Sequence, residues 1–317
     1  MDQDRTPHDE NSFRQMEGRK ACGAMPAQVW RIHSVNMTDY RAITLAGWIL
    51  SVLLVGFSSA RADSSDLIET SYEVNVGGIT VLDVKYRADI SGTGYHSQAS
   101  IKTRGIATFF SDYRMKIATS GSFVDGQANP AKYMSRRKKK DKIKAFELNW
   151  SEGSLSTRDR NASKDPDTQA EINLALTPNV ADPLTAIFRI GTSQKGSLCQ
   201  ATQRIFDGQD VFDLRFSFTR EVAFDSNVPG IYRGTAYECR MTYVPVAGRY
   251  ATKFRNRKED PPTYTVWLAP IETDMFKGPL LIPVRATGKL DGLEFVAYTS
   301  RARIDGRPFN QLSITGD

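Results

Sequence analysis

Apolar and polar residues alternate along much of the chain beyond residue 70. One run places apolar side chains on one face and charged ones on the other: Leu82, Val84, Tyr86 and Ala88 against Asp83, Lys85 and Arg87. A second run repeats the pattern with Phe212, Leu214, Phe216 and Phe218. A period of two is typical of a strand with one buried face and one solvated face. The pattern therefore predicts a mainly β protein.

Asp-Gly pairs recur between the alternating runs. They are Asp125-Gly126, Asp207-Gly208, Asp291-Gly292 and Asp305-Gly306. Asp-Gly favours a hairpin turn because glycine adopts positive φ without a steric penalty. Strands and turns of this kind over most of the chain predict an all-β fold, a curved antiparallel sheet or open half-barrel with one short helix.

The short helix is predicted over residues 182–190. Asp182 is suited to cap its N-terminus, Pro183 to take the first helical position, and Gly191 to end it. Residues 151–173 are polar and mixed in charge, so they are predicted as a loop or linker and as a candidate hinge. A helix of this length would plug or cover the sheet.

The N-terminal region has the layout of an export signal. Residues 42–57 carry no charge, Arg41 precedes them, and Ala60-Arg61-Ala62 supplies small residues for cleavage after Ala62. The alternative is a retained transmembrane anchor, although a span needs about 20 apolar residues. A signal of ordinary length would begin at Met37, and translation is expected to start there.

Three segments follow from this reading. Residues 1–36 are expected to be disordered or to precede the true start, residues 37–62 to be the signal peptide, and residues 63–317 to form a single periplasmic β domain. Cys199 and Cys239 remain in the exported part. Two cysteines in an exported chain usually pair, so a disulfide is predicted, with two buried thiols as the alternative.

The chain is basic, with a formal net charge of +6, and one short run of it is densely cationic. That run contains Arg136, Arg137, Lys138, Lys139, Lys140, Lys142 and Lys144. Alternation on both sides places it on a hairpin with a turn near 138–141. The simplest interpretation is a solvated edge that resists aggregation, and the alternative is an anionic partner. Nucleic acid is not expected, because no recognition motif accompanies the run.

Residues suited to catalysis are sparse. His96 is the one histidine of residues 63–317, and no G-x-S-x-G elbow accompanies it. Two cysteines and one histidine are too few for a dedicated zinc cage, and no phosphate-binding glycine motif is present. No catalytic residue, metal or cofactor is therefore expected. A pair of carboxylates acting as a hydrolase stays open as a weaker alternative.

Several short motifs, in order, resemble one bacterial family. They are Tyr72-x-Val74-x-x-Gly77, Thr103-Arg104-Gly105, Asn129-Pro130 with Tyr133, Trp150, Asp182-Pro183-Leu184-Thr185, Cys199 with Phe206-Asp207-Gly208, Cys239 with Pro245-Val246-Ala247-Gly248, Trp267-Leu268, and Pro279 to Arg285. This order is similar to the DUF3108 family of envelope proteins of unknown function, over most of residues 68–310. The basic run is denser than the resemblance requires.

The resemblance implies a periplasmic β protein without assigned activity or catalytic residues. Its fold would be distantly similar to the half-barrels of lipoprotein carriers, which hold acyl chains on a concave sheet. We therefore expect a non-enzymatic envelope protein that binds a lipid, a lipoprotein or another envelope component. The alternative is a scaffold that docks to envelope proteins or anionic headgroups through the basic run.

Overall fold

The computed structural model describes residues 65–158, 165–192, 199–225, 232–257, 260–273, 275–276, 278–290 and 292–309. Within these ranges fourteen strands form one antiparallel sheet. The predicted boundaries at residues 36 and 62, the start at Met37 and the signal peptide lie outside the described residues, so they stay predictions. By their internal contacts, residues 63–317 form one compact unit.

The strands follow the chain almost without interruption. They are β1 Ser65–Val76, β2 Ile79–Ser91, β3 Gly94–Thr103, β4 Tyr113–Val124, β5 Gln127–Lys139, β6 Lys142–Ser151, β7 Ser154–Arg158, β8 Thr202–Phe206, β9 Val211–Asp225, β10 Arg233–Ala247, β11 Thr263–Ile271, β12 Leu280–Leu290, β13 Leu293–Ile304 and β14 Arg307–Pro308. Their order in the sheet is β7-β6-β5-β4-β3-β2-β1-β13-β12-β11-β10-β9-β8, and β14 pairs with β13.

The sheet is open, and its two ends meet through a connecting segment. Trp150 of β6 donates its indole Nε1–H to the carbonyl of Val180 at 2.9 Å. The next residue, Ala181, donates its N–H to Arg204 of β8 and accepts from Phe206. A segment that bonds to both β6 and β8 can do so only if the sheet curves. The predicted curved, open antiparallel sheet is confirmed.

Four helices occur in the described part of the chain: α1 Ala107–Phe110, α2 Pro166–Ala175, α3 Pro183–Gly191 and α4 Arg249–Arg257. Helix α3 is the predicted one, with Asp182 at its N-cap and Pro183 at its start. The expectation of one short helix was wrong. Residues 151–173, predicted as a linker, contain β7 and most of α2. Helix α2 has an Asp-Pro start like that of α3, at Asp165 and Pro166.

The alternating strands give the sheet two rims. Rim A, as we name it, carries the β1–β2, β3–β4, β5–β6, β8–β9, β10–β11 and β12–β13 connections. Rim B carries the β2–β3, β4–β5, β6–β7, β9–β10 and β11–β12 connections. The basic run forms the β5–β6 hairpin, as predicted, with its turn at Lys140 and Asp141, and therefore lies on rim A.

A hydrophobic core closes the interior at rim B. Its buried members include Ile90, Ile271, Ile304, Tyr95 and Phe309. Aromatic rings pack there against Phe188 of α3: its ring centroid lies 4.7 Å from that of Tyr95 and 5.8 Å from that of Phe123. Large rings in contact bury much apolar area. This end of the sheet is therefore sealed.

The structure joins Cys199 and Cys239 in a disulfide, with their Cα atoms 5.9 Å apart. Cys239 lies on β10, and Cys199 precedes β8. The bond closes a loop with a sequence separation of 40 residues. A loop of this length predicts roughly 3–4 kcal/mol of stabilisation in the chain-entropy view.

A substitution at Gly208 tests the contact between the two ends of the sheet. Its φ is +92°, and a methyl group built on it would overlap the ring of Phe146 on β6. Gly126 is a matched control because its φ is +77° and nothing lies near a methyl group there. We expect Gly208→Ala to lower the free energy of unfolding by roughly 1–3 kcal/mol more than Gly126→Ala, as measured by urea denaturation.

The double variant Gly208→Ala with Phe146→Ala separates overlap from backbone strain. Removing the ring should make the two losses markedly less than additive, because contacting residues couple. Equal losses for Gly208→Ala and Gly126→Ala would contradict the close approach of β6 to the β8–β9 turn.

Candidate functional site

The concave face of the sheet changes in burial from one rim to the other. On β2, Ala88 and Ile90 near rim B are fully buried, whereas Leu82 and Val84 toward rim A are half-buried. On β1, Ile68 is buried and Val74 is half-buried. The inward positions of β3 and β13 follow the same trend. The interior is therefore a cup that is closed at rim B and open toward rim A.

A cavity of about 260 Å³ lies inside this cup, between α3 and the sheet. Strands β1 to β4 and β12 supply one wall, and the first two turns of α3 supply the other. The lining residues are Ile68, Tyr72, Val84, Tyr86, Ala99, Ile101, Ile117, Pro183, Leu184, Ile187, Phe188, Leu280, Leu281, Ile282 and Pro283. None of them carries a charge.

Two tyrosines bring hydroxyl groups to the cavity. Tyr72 donates its hydroxyl to the carbonyl of Pro283 at 3.1 Å. Burial raises the pKa of Tyr72 to about 12 and raises the pKa of Tyr86 further still. Both phenols therefore stay neutral at physiological pH. A wall of aliphatic side chains and neutral rings suits an apolar ligand, because a polar ligand would lose its hydration there without new partners.

Helix α3 is held against the sheet by a buried polar network. The carboxylate of Asp182 accepts from the N–H groups of Leu184 at 2.9 Å and Thr185 at 3.0 Å. It also accepts from the hydroxyl of Thr119 on β4 at 3.0 Å. The hydroxyls of Thr185 and Tyr95 lie 2.7 Å apart. These bonds connect the start of α3 to β3 and β4, and so set the position of one cavity wall.

The other end of α3 is held by Arg189. Its Nε donates to the carbonyl of Ala128 on β5 at 2.8 Å, and its Nη1 donates to the carbonyl of Asn179 at 2.7 Å. A guanidinium that bonds to two different carbonyls fixes both direction and distance. The helix is therefore anchored at each end on the sheet and on the segment that joins its two ends.

The basic run divides between the two faces of the sheet. Arg137 is in register with Met115, which is in register with Ile101 of the cavity wall. Lys144 of β6 is paired with Arg137 in the same row. Residues in register across neighbouring strands share a face. Arg137, Lys139, Lys142 and Lys144 thus belong to the concave side at rim A, and Arg136 and Lys138 to the convex side.

The nearest cation of this run lies close to the cavity. Arg137 is two strands from Ile101, a separation of about 10 Å at the usual strand spacing. Burial raises the pKa values of Asp207 and Asp210, and the charge of nearby Arg137 partly offsets this rise. Within the described ranges no ion pair joins Lys138, Lys139, Lys140, Lys142 or Lys144 to a carboxylate. The open side of the cup is therefore positively charged on β5 and β6.

His96 lies away from the cavity. It stands on the convex face of β3, in register with Asp89 of β2 and Ser120 of β4. The row places a carboxylate, an imidazole and a hydroxyl on adjacent strands, which sequence spacing could not show. The cavity lies on the opposite face of the same strands, so this row contributes nothing to its wall. Cys199 and Cys239 lie in a separate core cluster.

Sequence reasoning did not identify the cavity wall. Its residues come from five strands and one helix, and each is an ordinary apolar position in an alternating pattern. The sequence predicted only that the concave face as a whole would be aromatic and aliphatic.

Among the described residues, no group of three or more histidine, cysteine or acidic side chains is placed to hold a metal ion. No helix in those ranges is both long and apolar enough to cross a bilayer.

Asp182 gives a pH-dependent test of the network. Burial raises its pKa, so the folded state holds the proton more tightly than the unfolded state does. Its contribution to stability is then greatest below the ordinary aspartate pKa of about 4 and declines as pH rises toward the raised pKa. We expect the stability of the wild type relative to Asp182→Asn to decline over this interval, as measured by urea titrations at several pH values.

The second substitution at this position separates the cap from the charge. Asp182→Ala removes the acceptor for Leu184, Thr185 and Thr119, and should cost about 2–4 kcal/mol near pH 4, a cost that declines with rising pH as it does for Asp182→Asn. Asp182→Asn keeps an acceptor for the two backbone N–H groups and should cost less. A wild type whose stability relative to Asp182→Asn does not change with pH would contradict the raised pKa.

Solved structures that are similar to this chain include two proteins. The chain is similar in fold to a beta-barrel-like protein of domain of unknown function DUF1849 from Brucella abortus, at 10% identity, with a TM-score of 0.47, over 76% of this chain and 98% of that one. It also matches a DUF1329 family protein from Desulfovibrio piger, at 8% identity and a TM-score of 0.27, over 77% of this chain and 87% of that one.

No curated protein matches the sequence. The family model that describes a protein of unknown function, DUF3108, matches residues 71–291, which include strands β2, β3, β4 and β12 of the cavity wall, the second half of β1, helix α3 and the basic hairpin. The resemblance inferred from the order of short motifs is confirmed, and the chain belongs to the DUF3108 family.

Proposed function

We propose that this protein binds the apolar chain of a lipid or lipoprotein in the cavity between α3 and the concave sheet. The observation that carries the proposal is the chemistry of the wall. Fifteen residues line the cavity, none is charged, and the phenols stay neutral. A smaller apolar cavity, of about 150 Å³, is enough to bind benzene. A volume of about 260 Å³ therefore holds a segment of an acyl chain.

The half-buried part of the concave face extends this site toward rim A. Leu82, Val74, Ala297 and Ala286 form one row across four strands, in register and on the same face. All four are half-buried. A chain longer than the cavity can lie along them, and its polar end then comes to rim A, where it meets water.

The cations on the concave side of rim A indicate the headgroup. Arg137 is in the same register row as Ile101, so a chain that passes Ile101 brings its head near a guanidinium. Guanidinium groups bind carboxylates and phosphates with charge-assisted hydrogen bonds. We therefore propose an anionic amphiphile as the ligand, without a catalytic step.

The periplasm is the proposed compartment. The export signal predicted over residues 37–62 and the disulfide between Cys199 and Cys239 both support it, because disulfides persist in oxidising compartments. A carrier there would shield acyl chains from water between envelope sites. Fractionation of cells expressing the full chain tests the location: recovery with cytoplasmic markers would contradict it.

Ile101→Trp tests the cavity. Native mass spectrometry of the wild-type protein, purified gently from cells, should show an added mass that extracts into organic solvent. The indole would fill the space beside Val84 and Met115, so we expect Ile101→Trp to lose that mass and to bind a fluorescent long-chain fatty acid at least tenfold more weakly. Ser100→Trp is the control, because Ser100 is the adjacent position on the convex face.

Equal binding by both variants would contradict the cavity as the site. A clean mass for the wild type, together with no binding of the fatty acid, would contradict the carrier proposal itself. It would favour the scaffold alternative, in which the protein docks to envelope proteins.

Arg137→Gln tests the headgroup. We expect this substitution to weaken the binding of a fatty acid roughly tenfold, which corresponds to about 1.4 kcal/mol. The affinity for the fatty alcohol of equal chain length should stay unchanged. Arg136→Gln removes the same charge on the opposite face and should change neither affinity. Fluorescence competition against the labelled fatty acid measures all four. An equal loss of affinity for the fatty acid and the fatty alcohol would contradict a role for the charge of Arg137.

A further inference from the structure

Five of the exposed large apolar side chains in the described ranges lie along one rim, while Val124, Leu174, Ile187 and Phe218 are exposed elsewhere. Phe109 is 88% exposed, on helix α1 of the β3–β4 connection, and Ile106 precedes it. Leu290 and Leu293 flank the β12–β13 turn, and Ile79 begins β2 after the β1–β2 turn. All five are more than half exposed and all five lie on rim A. Large apolar residues grouped on a surface mark an interaction site.

The three connections that carry these residues are neighbours. Strands β4, β3, β2, β1, β13 and β12 are consecutive in the sheet, and the connections join them in pairs. Six strands at the usual spacing extend about 24 Å. The apolar tips therefore form one continuous stretch of rim, on isolated turns and a single helical turn. They do not belong to the interior core.

The next connection along the same rim is the basic hairpin. Strands β5 and β6 follow β4 in the sheet. Residues 136–144 carry seven cations and one carboxylate, that of Asp141. Lys138, Lys139, Lys140, Lys142 and Lys144 are all exposed. Apolar tips beside a dense cluster of lysines match the two components of an anionic bilayer surface, acyl chains and negatively charged headgroups.

We propose that rim A docks on an anionic lipid bilayer, with the side chains of Phe109, Leu290 and Leu293 inserted among the acyl chains and the basic hairpin on the headgroups. The charge of the hairpin selects this occupant, because an uncharged apolar partner would leave the lysines without a counterpart. The open side of the cup then faces the bilayer. Docking does not depend on what the cavity holds.

Vesicle partitioning of the full chain tests the charge. The probe is vesicles of phosphatidylglycerol and phosphatidylcholine, at low salt. Loss of three lysines, in K138Q/K139Q/K140Q, should weaken partitioning on the order of 100-fold, given the contribution of each cation near an anionic surface. R301Q/R303Q/R307Q is the matched control. It removes the same charge from exposed positions near rim B and should weaken partitioning far less.

The apolar contribution is tested with single substitutions. Phe109→Ser should weaken partitioning roughly tenfold, because the ring would leave the acyl region. Val124→Ser is its control, since Val124 is an exposed apolar residue at a rim B hairpin. Both variants carry the same N-terminal residues 1–62 as the wild type, so that segment contributes equally to every measurement.

Depth of insertion gives an independent readout. The new tryptophan of Phe109→Trp should be quenched by lipids with brominated acyl chains, and that of Val124→Trp should not. Equal quenching at both positions, or K138Q/K139Q/K140Q binding as well as the wild type, would overturn the proposal. Absence of binding to any vesicle would overturn it in favour of a protein partner.

The proposal of a carrier function and the proposal of a docking surface can be contradicted independently of each other. Ile101→Trp should lose the fatty acid and keep vesicle binding. R136Q/K138Q/K140Q, which spares the concave-face cations Arg137 and Lys139, should lose vesicle binding and keep fatty acid bound from solution. A loss of both by either variant would overturn the assignment of separate surfaces.

Discussion

The segment from Asn179 to Asp182 is the constraint on which the rest of the structure depends. An open sheet leaves unpaired N–H and C=O groups along its edge strands, and such edges invite pairing with other chains. Here the segment accepts from Trp150 on β6 and makes backbone bonds with Arg204 and Phe206 on β8. The sheet must curve for both to occur. A curved sheet has a concave interior, and other parts of the chain must fill it.

Helix α3 fills part of that interior and leaves part of it empty. It follows the connecting segment directly, so its position is determined as soon as the segment bridges β6 and β8. The carboxylate of Asp182 is fully buried, which costs free energy unless every lone pair is used. Four donors from Thr119, Leu184 and Thr185 satisfy it. The helix therefore stands at a fixed height over the sheet, and the cavity is the space that remains.

The interior of the sheet is closed at rim B and open at rim A, so the two ends of the molecule differ. The core at rim B combines aromatic rings and aliphatic chains from eight strands and α3. No equivalent cluster covers the described residues of rim A between β6 and β12, where Leu82 and Val74 stay half-buried and Phe109 is exposed. The proposed ligand path and the proposed docking surface then share the same end. Apolar chains and anionic heads both belong to a bilayer, so the two proposals are compatible with one orientation of the protein.

The sequence by itself determined the strands, the turns and helix α3, because alternation, Asp-Gly pairs and an Asp-Pro start are local signals. It also determined the basic hairpin, whose flanking residues keep strict alternation. It did not reveal α2, whose polar composition has little helical periodicity, so residues 151–173 resembled a linker. The cavity and the grouping on rim A were decided only by tertiary structure. Ile101, Leu184 and Leu281 are distant in the chain, and register alone brings Arg137 into the row of Ile101. Which apolar positions fill the core and which line a space depends on how far the sheet curves, and no local pattern encodes that.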